Sequence, residues 1–329
     1  MKKRPLGRSG IEIAPLVFGG NVFGWTVDES RAASLLDRFV DGGLDAIDTA
    51  DVYSRWVPGN QGGESETIIG KWLKRSPSRR SKVVLITKVG SDMPGRGKGL
   101  SRAHILASVE DSLARLQTDY IDVYLAHRPD AGTPIEETLR AFDDLRKAGK
   151  VRAIGGSNYD AAGLSQVLSA ATRKSLPRYE VMQPEYNLYD RDSYDGPLRE
   201  LCMKEGLGVI TYYSLASGFL SGKYRSKADL AKSARGEGIA DYLNERGERI
   251  LRALDVVARR RSAKPAEVAL AWLVARPGVT APIASATSVE QVDSLIRATQ
   301  LSLDTEDRRL LENPQKTRLP SGEMSNRRS

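Results

Sequence analysis

The strongest constraint on this chain is an alternation that runs along nearly its whole length. Short apolar runs at 16–18, 46–48, 83–88, 121–126, 153–157, 181–183, 208–212 and 280–283 are separated by amphipathic stretches. That pattern predicts parallel strands joined by crossover helices. Helices are expected over 65–73, 101–116, 134–148, 161–171 and 265–275 among others, several with recognisable ends. Ser101 and the Thr133-Pro134 pair supply N-terminal signals, and Gly149 follows Lys147 at a C-terminus. Eight strand and helix units in one chain predict a closed (β/α)8 TIM barrel over residues 1–312.

Three segments fall outside those units. Residues 1–13 predict a β-hairpin turning at Arg8-Ser9-Gly10 and closing the bottom of the barrel. The stretch 214–244, after the seventh strand, is glycine-containing and basic without an apolar period, which predicts a long functional loop. Residues 313–329 predict a C-terminal loop and a polar tail, partly disordered, with 313–318 able to cover a pocket.

Composition narrows the class. With 40% hydrophobic and 28% charged residues the chain has ordinary globular usage. One cysteine, Cys202, excludes an internal disulfide and a cysteine metal cluster, and suggests the cytoplasm. Two histidines, His104 and His127, cannot make a three-histidine metal centre, so no metal is expected. No apolar run approaches membrane-spanning length, and no export signal or membrane association is read. The formal charge of +8 is scattered rather than gathered with aromatics, so it suggests attraction of anionic cofactors and not nucleic acid. The runs Arg79-Arg80 and Arg259-Arg260-Arg261 are expected as solvated helix ends.

In a barrel of this kind chemistry gathers at the carboxyl ends of the strands. Asp48 ends the second strand, Tyr53 follows it, Lys88 ends the third and His127 follows the fourth. A lysine at the end of a buried strand needs a partner, and Asp48 is available next door. An ammonium beside a phenol favours the phenolate, so Tyr53 is expected to lose its proton more readily. His127 would then help to polarise a substrate carbonyl. A Schiff-base aldolase with Lys88 as nucleophile is a competing reading, opposed by the carboxylate that keeps the lysine charged.

At these residues the sequence resembles the aldo-keto reductase superfamily over about residues 4–312. DTADVY followed by GGESETIIGKWL, then ITK, DVYLAHRPD, GKVRAIGGSNY, QPEYN, TYYSLASGFLSGKY and PIASATSVEQV appear in the family's order and spacing. The resemblance implies reversible reduction of an aldehyde or ketone with Tyr53 as proton donor, Lys88 and Asp48 as its tuning pair, and His127 orienting the carbonyl. It further implies an extended nicotinamide cofactor across the barrel mouth. Ser157, Asn158 and Gln183 would bond the carboxamide and Tyr212 would stack on the ring. Leu215, Ser217, Ser221 and Lys223 would fold over the pyrophosphate, with Arg235 a further phosphate candidate. Gly20, Asn21, Asp48, Tyr213, Ala286, Thr287 and Gln291 complete the implied cofactor set. Phe23, Trp56, His127 and Arg128 are the candidate substrate pocket, with Asn21 beside them.

One end departs from the family pattern. Where many relatives carry Glu-Asn after the equivalent of Gln291, this chain has Ser294-Leu295, and no arginine stands at Thr287 or Ser288. The resemblance therefore implies NADPH, with NADH as competitor. Because some members of the superfamily serve as channel subunits, a cofactor-binding regulatory subunit with little turnover is the alternative function. Substrate identity and oligomeric state stay open.

Overall fold

The computed structural model describes residues 1–314 with the exception of Ala234. A two-stranded antiparallel ribbon, β1 (Arg4–Pro5) and β2 (Glu12–Ile13), comes first. Then follow β3 (Val17–Gly19), α1 (Glu29–Asp41), β4 (Ala46–Asp48), α2 (Glu64–Lys74), β5 (Val84–Val89), α3 (Arg102–Leu116), β6 (Ile121–Ala126) and α4 (Ile135–Lys147). The second half adds β7 (Val151–Ser157), α5 (Ala161–Lys174), β8 (Val181–Gln183), α6 (Pro197–Glu205), β9 (Gly208–Thr211), α7 (Glu245–Arg261), α8 (Pro265–Ala275), β10 (Ala281–Ala284), α9 (Val289–Gln300) and α10 (Thr305–Glu312). Strands β3 to β10 pair in parallel, and β10 closes onto β3. This is the expected (β/α)8 TIM barrel, with strand limits moved by no more than one residue except at the start of β7, which lies two residues earlier, as is usual at element ends.

Strand residues alternate between two cores because successive side chains point to opposite faces. Val17, Ala46, Val84, Ile86, Val123, Leu125, Ala153, Val181, Ile210, Ala281 and Ile283 form the interior layer. Phe18, Ile47, Leu85, Tyr124, Ile154, Met182 and Val209 belong to the larger core that also contains the buried helix residues. The hairpin joins the interior layer through Leu6, Ile11 and Ile13, closing the amino-terminal end of the barrel. Gly7 makes that closure possible. A Cβ there would sit 2.5 Å from the Glu180 carbonyl oxygen, and φ is +62°.

The long segment after β9 is more ordered than its composition suggested. It forms three 3₁₀ turns, Ala216–Ser221, Lys227–Lys232 and Glu237–Tyr242, and buries Phe219, Leu220, Tyr224 and Ile239. Phe219 stacks on Tyr242 at 5.3 Å between ring centres, an aromatic anchor too sparse in sequence to read as a period. The N-terminal signal expected at Thr133 is also corrected. Pro134 is the cap of α4, while the Thr133 hydroxyl donates to Asp130. Gly149 has φ of +73° just past the same helix, as expected. The tail at 315–329, including the expected pocket cover at 315–318, lies outside the described residues.

Arg80 corrects the expectation of a solvated helix end. Its guanidinium donates to Thr118 Oγ1, the Val83 and Tyr120 carbonyl oxygens and Asp122 Oδ2 at 2.8–3.0 Å. Asp122 in turn accepts from the Leu85 amide at 2.9 Å, so one arginine ties the entry of β5 to the entry of β6. A partly buried fork with four acceptors outweighs the hydration it gives up. Arg261, at the end of α7, likewise reaches Asp304 and Asp307. Arg80→Ala leaves the buried Asp122 with Arg152 and the Leu85 amide as its remaining partners, and is expected to lower the unfolding free energy by about 3 kcal/mol. Urea denaturation of the two proteins measures it.

Candidate active site

The alternation of faces also explains how distant residues meet. Asp48 lies two residues beyond Ala46, Lys88 two beyond Ile86, His127 two beyond Leu125 and Gln183 two beyond Val181. Ser157 and Tyr212 follow interior-facing positions in the same way. Each therefore points inward one layer above the packed interior, at the carboxyl end of the strands.

At the centre is Lys88, with no exposed surface. Its Nζ donates to Asp48 Oδ2 at 2.8 Å, to the Thr49 carbonyl oxygen at 2.7 Å and to the Tyr53 hydroxyl at 3.0 Å. Three acceptors use all three ammonium protons. The other oxygen of Asp48 accepts from Gln183 Nε2 at 2.8 Å. Gln183 is thus part of the charge network as well as a cofactor candidate. Burial of Lys88 works against its charge, but Asp48 and Tyr53 outweigh it and hold the ammonium above the usual lysine value. Burial pushes Asp48 the opposite way, toward the acid, and Lys88 pulls it back. The ammonium is fully bonded, so the pair is ionic.

Tyr53 modifies one expectation. Burial raises its phenol above the ordinary tyrosine value, and the nearby Lys88 offsets only part of that rise. The proton is therefore held at neutral pH rather than readily lost, which suits a donor. The turn that carries Tyr53 is pinned from both sides. Ser54, at φ +75°, donates to the Phe23 carbonyl oxygen at 2.5 Å, and Asn60 donates to the Gly24 and Ser54 carbonyl oxygens.

His127 lies 6.1 Å from Tyr53 between ring centres. Burial first, then Lys88 and Arg128, depress its pKa to about 3, so the imidazole is neutral. Its Nδ1 is buried without a partner. A protonated phenol, an ammonium behind it and a neutral imidazole together can hold a carbonyl oxygen and deliver a proton to it.

The cofactor candidates fall in two groups. Around the mouth, Ser157 donates to the Gln183 carbonyl oxygen, and Asn158, at φ +62°, donates to the His127 carbonyl oxygen and to Ser157 Oγ. Tyr212 donates to Asn158 Oδ1 at 2.7 Å, and its ring meets that of Tyr213, which is 50% exposed. Asn21 accepts from Ser285, and a Cβ on Gly20 would lie 3.0 Å from the Asp48 carbonyl oxygen. On the long loop, Ala216, Ser217 and Gly218 are three successive left-handed residues after Leu215, and Ser221 donates to the Gly218 carbonyl oxygen. Lys223 lies over the ring of Tyr224 and Arg235 over that of Trp25. Near the last strand, Ala286 is buried, and Gln291 accepts from the Thr287 amide and hydroxyl. The unusual pair is structural: Ser294 donates to Glu267 at 2.7 Å and Leu295 is buried in the core.

Among the pocket candidates, Phe23 is displaced from its expected place. It is fully buried and stacks on Phe18 at 5.4 Å, because it seals the outer core beneath the loop. Trp25, which sequence reasoning missed, takes the neighbouring surface. It meets Trp56 edge to face at 5.9 Å, and Trp56, 48% exposed, meets Tyr53 at the same distance. The motif FGW offered both aromatics, but only the turn geometry chooses between them. Arg128 is exposed beside His127, with no ion pair among the described residues. The described residues contain no cluster of metal ligands and no helix long and apolar enough to cross a membrane.

The profile of the Aldo/keto reductase family matches residues 15–313. The chain is 36% identical to an uncharacterized oxidoreductase, YrpG, of Bacillus subtilis, across 93% of each chain. It is 34% identical to the aldo-keto reductase AMT2 of Alternaria alternata, covering 97% of this chain and 93% of that one. It is also 35% identical to a probable voltage-gated potassium channel subunit beta of Arabidopsis thaliana, across 91% of each. A depressed His127 predicts that its imidazole resonances do not titrate between about pH 5 and about pH 8, where an ordinary histidine would. Proton NMR of the chain with His104 replaced, so that His127 is its one histidine, reads this directly.

Proposed function

The chain belongs to the aldo/keto reductase family, and from that membership we propose that it is an oxidoreductase reducing an aldehyde or ketone to an alcohol, reversibly, with NADPH preferred and NADH possible. The observation that carries the proposal is the Lys88 ammonium, bonded at once to Asp48 and to the hydroxyl of a protonated Tyr53 at the carboxyl end of the strands. That arrangement has little use in a purely structural ion pair, whose lysine would be served by the carboxylate and backbone alone.

The residues present suit such a cofactor. Arg235 Nη2 is buried without a partner, and neither Arg235 nor Lys223 has a carboxylate partner among the described residues. Two uncompensated cations beside a left-handed backbone turn suit a pyrophosphate. Leu215, Ser217, Ser221, Lys223 and Arg235 would hold that part. Ser157, Asn158 and Gln183 would hold the carboxamide, Tyr212 and Tyr213 would flank the ring, and Gly20, Asn21, Ala286, Thr287 and Gln291 would line the rest. When bound, a reduced nicotinamide supplies the hydride.

The protein's own groups do the remaining work. His127 orients the carbonyl oxygen as a neutral hydrogen-bonding group, and Tyr53 gives its proton to that oxygen as negative charge develops. Lys88 stabilises the phenolate left behind, and Asp48 keeps Lys88 charged and in place. Trp25, Trp56 and Arg128 form the walls that meet the rest of the substrate. We assign the protein to the cytoplasm, since its one cysteine, buried Cys202, suits a reducing compartment.

A second reading, a cofactor-binding regulatory subunit with little turnover, is favoured by the name of the Arabidopsis relative. Tyr53→Phe separates the readings. In a reductase it lowers carbonyl reduction by about 10²-fold or more, the scale of a lost general acid, while cofactor affinity is unchanged. Titration with NADPH and NADH, followed by turnover of aldehydes, ketones and keto sugars, measures both. Cofactor binding without turnover of any of them by the unsubstituted protein supports the regulatory reading.

A further inference from the structure

Behind the catalytic lysine, on the outer side of the barrel wall, lies a second group of ionisable side chains with no part in the chemistry above. Asp51, three residues after β4, is 1% exposed, and neither of its carboxyl oxygens has a well-formed hydrogen bond, although the Val52 amide is close enough to pull on the carboxyl. Facing it are Glu66 of α2, Arg115 of α3 and Lys88 of β5; Tyr124 of β6, also buried with an unpartnered hydroxyl, feels its charge. Asp111 of α3 acts on Arg115 and Tyr124 from farther out.

The cluster is short of positive charge. Glu66 takes the guanidinium outright: its Oε2 accepts from Arg115 Nε at 2.7 Å, and its Oε1 accepts from the Thr87 hydroxyl at 2.6 Å. Helices α2 and α3 are locked in that relation by Gly70, where a Cβ would lie 2.1 Å from the Arg115 carbonyl oxygen. Lys88 has spent its three protons on the other side of the wall. A buried carboxylate without a donor is costly, and the way out is to keep the proton. Burial and then Glu66 push the Asp51 carboxyl up to about 8, against the pull of Arg115, the Val52 amide and Lys88.

Asp51 is also wired to the site. Its amide donates to the Lys88 carbonyl oxygen at 3.3 Å, and Tyr53 follows in the same turn, its amide bonded to Ala50 at 3.1 Å. We propose that Asp51 is a positioning residue that stands as a neutral carboxylic acid in the active protein and governs the acidity of Tyr53 through Lys88. While Asp51 keeps its proton, no charge at this position offsets the field that the ammonium exerts on Asp48 and Tyr53. Once it ionises, its charge offsets part of that field, and the phenol holds its proton more tightly. The role rests on the reading of Tyr53 as the acid.

The sign for stability follows from the raised carboxyl. Between about pH 4 and about pH 8 the folded chain holds a proton at Asp51 that the unfolded chain has lost, so this group makes folding less favourable as pH rises through that interval, and level above it. Asp51→Asn keeps the shape of the neutral acid and removes the titration. Its thermal midpoint relative to the unsubstituted protein should climb steadily over the same interval and then stay level. Ultraviolet difference spectra, each protein against its own Tyr53→Phe counterpart, should show Tyr53 ionising at lower pH in Asp51→Asn, by about half a unit or more. In turnover, the fall in kcat/KM near pH 8 should vanish in the variant. If Asp51→Asn does not fold, Glu66→Gln serves: freeing Arg115 for Asp51 should move the stability transition to lower pH.

A midpoint difference that stays constant with pH, an unmoved Tyr53 ionisation, or an unmoved transition in Glu66→Gln overturns the proposal. Absence of turnover overturns the reductase reading instead, and the midpoint and phenol measurements still decide the role of Asp51.

Discussion

A lysine ammonium with no exposed surface can persist inside a barrel wall only if every one of its protons has an acceptor. Lys88 meets that requirement with a carboxylate, a backbone carbonyl and a phenol, drawn from one neighbouring strand and the turn after it. Much else in the mouth follows. Asp48 must stay ionised and fixed, which the Gln183 amide secures from β8, and Gln183 is in turn backed by Ser157 through its own carbonyl. Asn158 then links Ser157 to His127 and Tyr212. One buried charge is thereby connected through hydrogen bonds to side chains from β4, β7 and β8, to the turns beyond β7 and β9, and to the backbone just after β6.

The same charge sets the protonation of its surroundings. It adds to the burial that keeps His127 neutral and partly offsets the burial of Tyr53, leaving a phenol that retains its proton yet has an ammonium ready to stabilise the anion. The surrounding architecture adds access and grip. Trp25 and Trp56 pack edge to face beside Tyr53, and the long loop carries the left-handed turn at 216–218 and the unpartnered Nη2 of Arg235. Membership of the aldo/keto reductase family fits a centre borne on the strands of the barrel.

The barrel and its centre were legible because they depend on local signals. Eight apolar runs give the strands, and the two-residue period places Asp48, Lys88, His127 and Gln183 on the inward face once the barrel is assumed. What escaped the sequence depends on partners far away in the chain. Arg80 reads as a surface charge until Asp122 and three further oxygens surround it. Phe23 and Trp25 are interchangeable in a string, and only the turn decides that one joins Phe18 while the other meets Trp56. The acidity of Tyr53 was misjudged because the ammonium is visible in sequence as a neighbour, whereas burial is not. The long loop looked irregular because its anchors, Phe219 and Tyr242, follow no period.

The central claim is that Lys88 and Asp48 act as one ionic unit, neither tolerable alone. A double-mutant cycle on unfolding free energy tests it most directly, using Lys88→Met, Asp48→Asn and the two together. Each single substitution should cost about 3–5 kcal/mol by leaving its partner buried and unmatched, and the double should cost no more than one of them. Losses that simply add would contradict the account, because they would mean that the two groups are held independently and that Lys88 owes its charge to something other than Asp48.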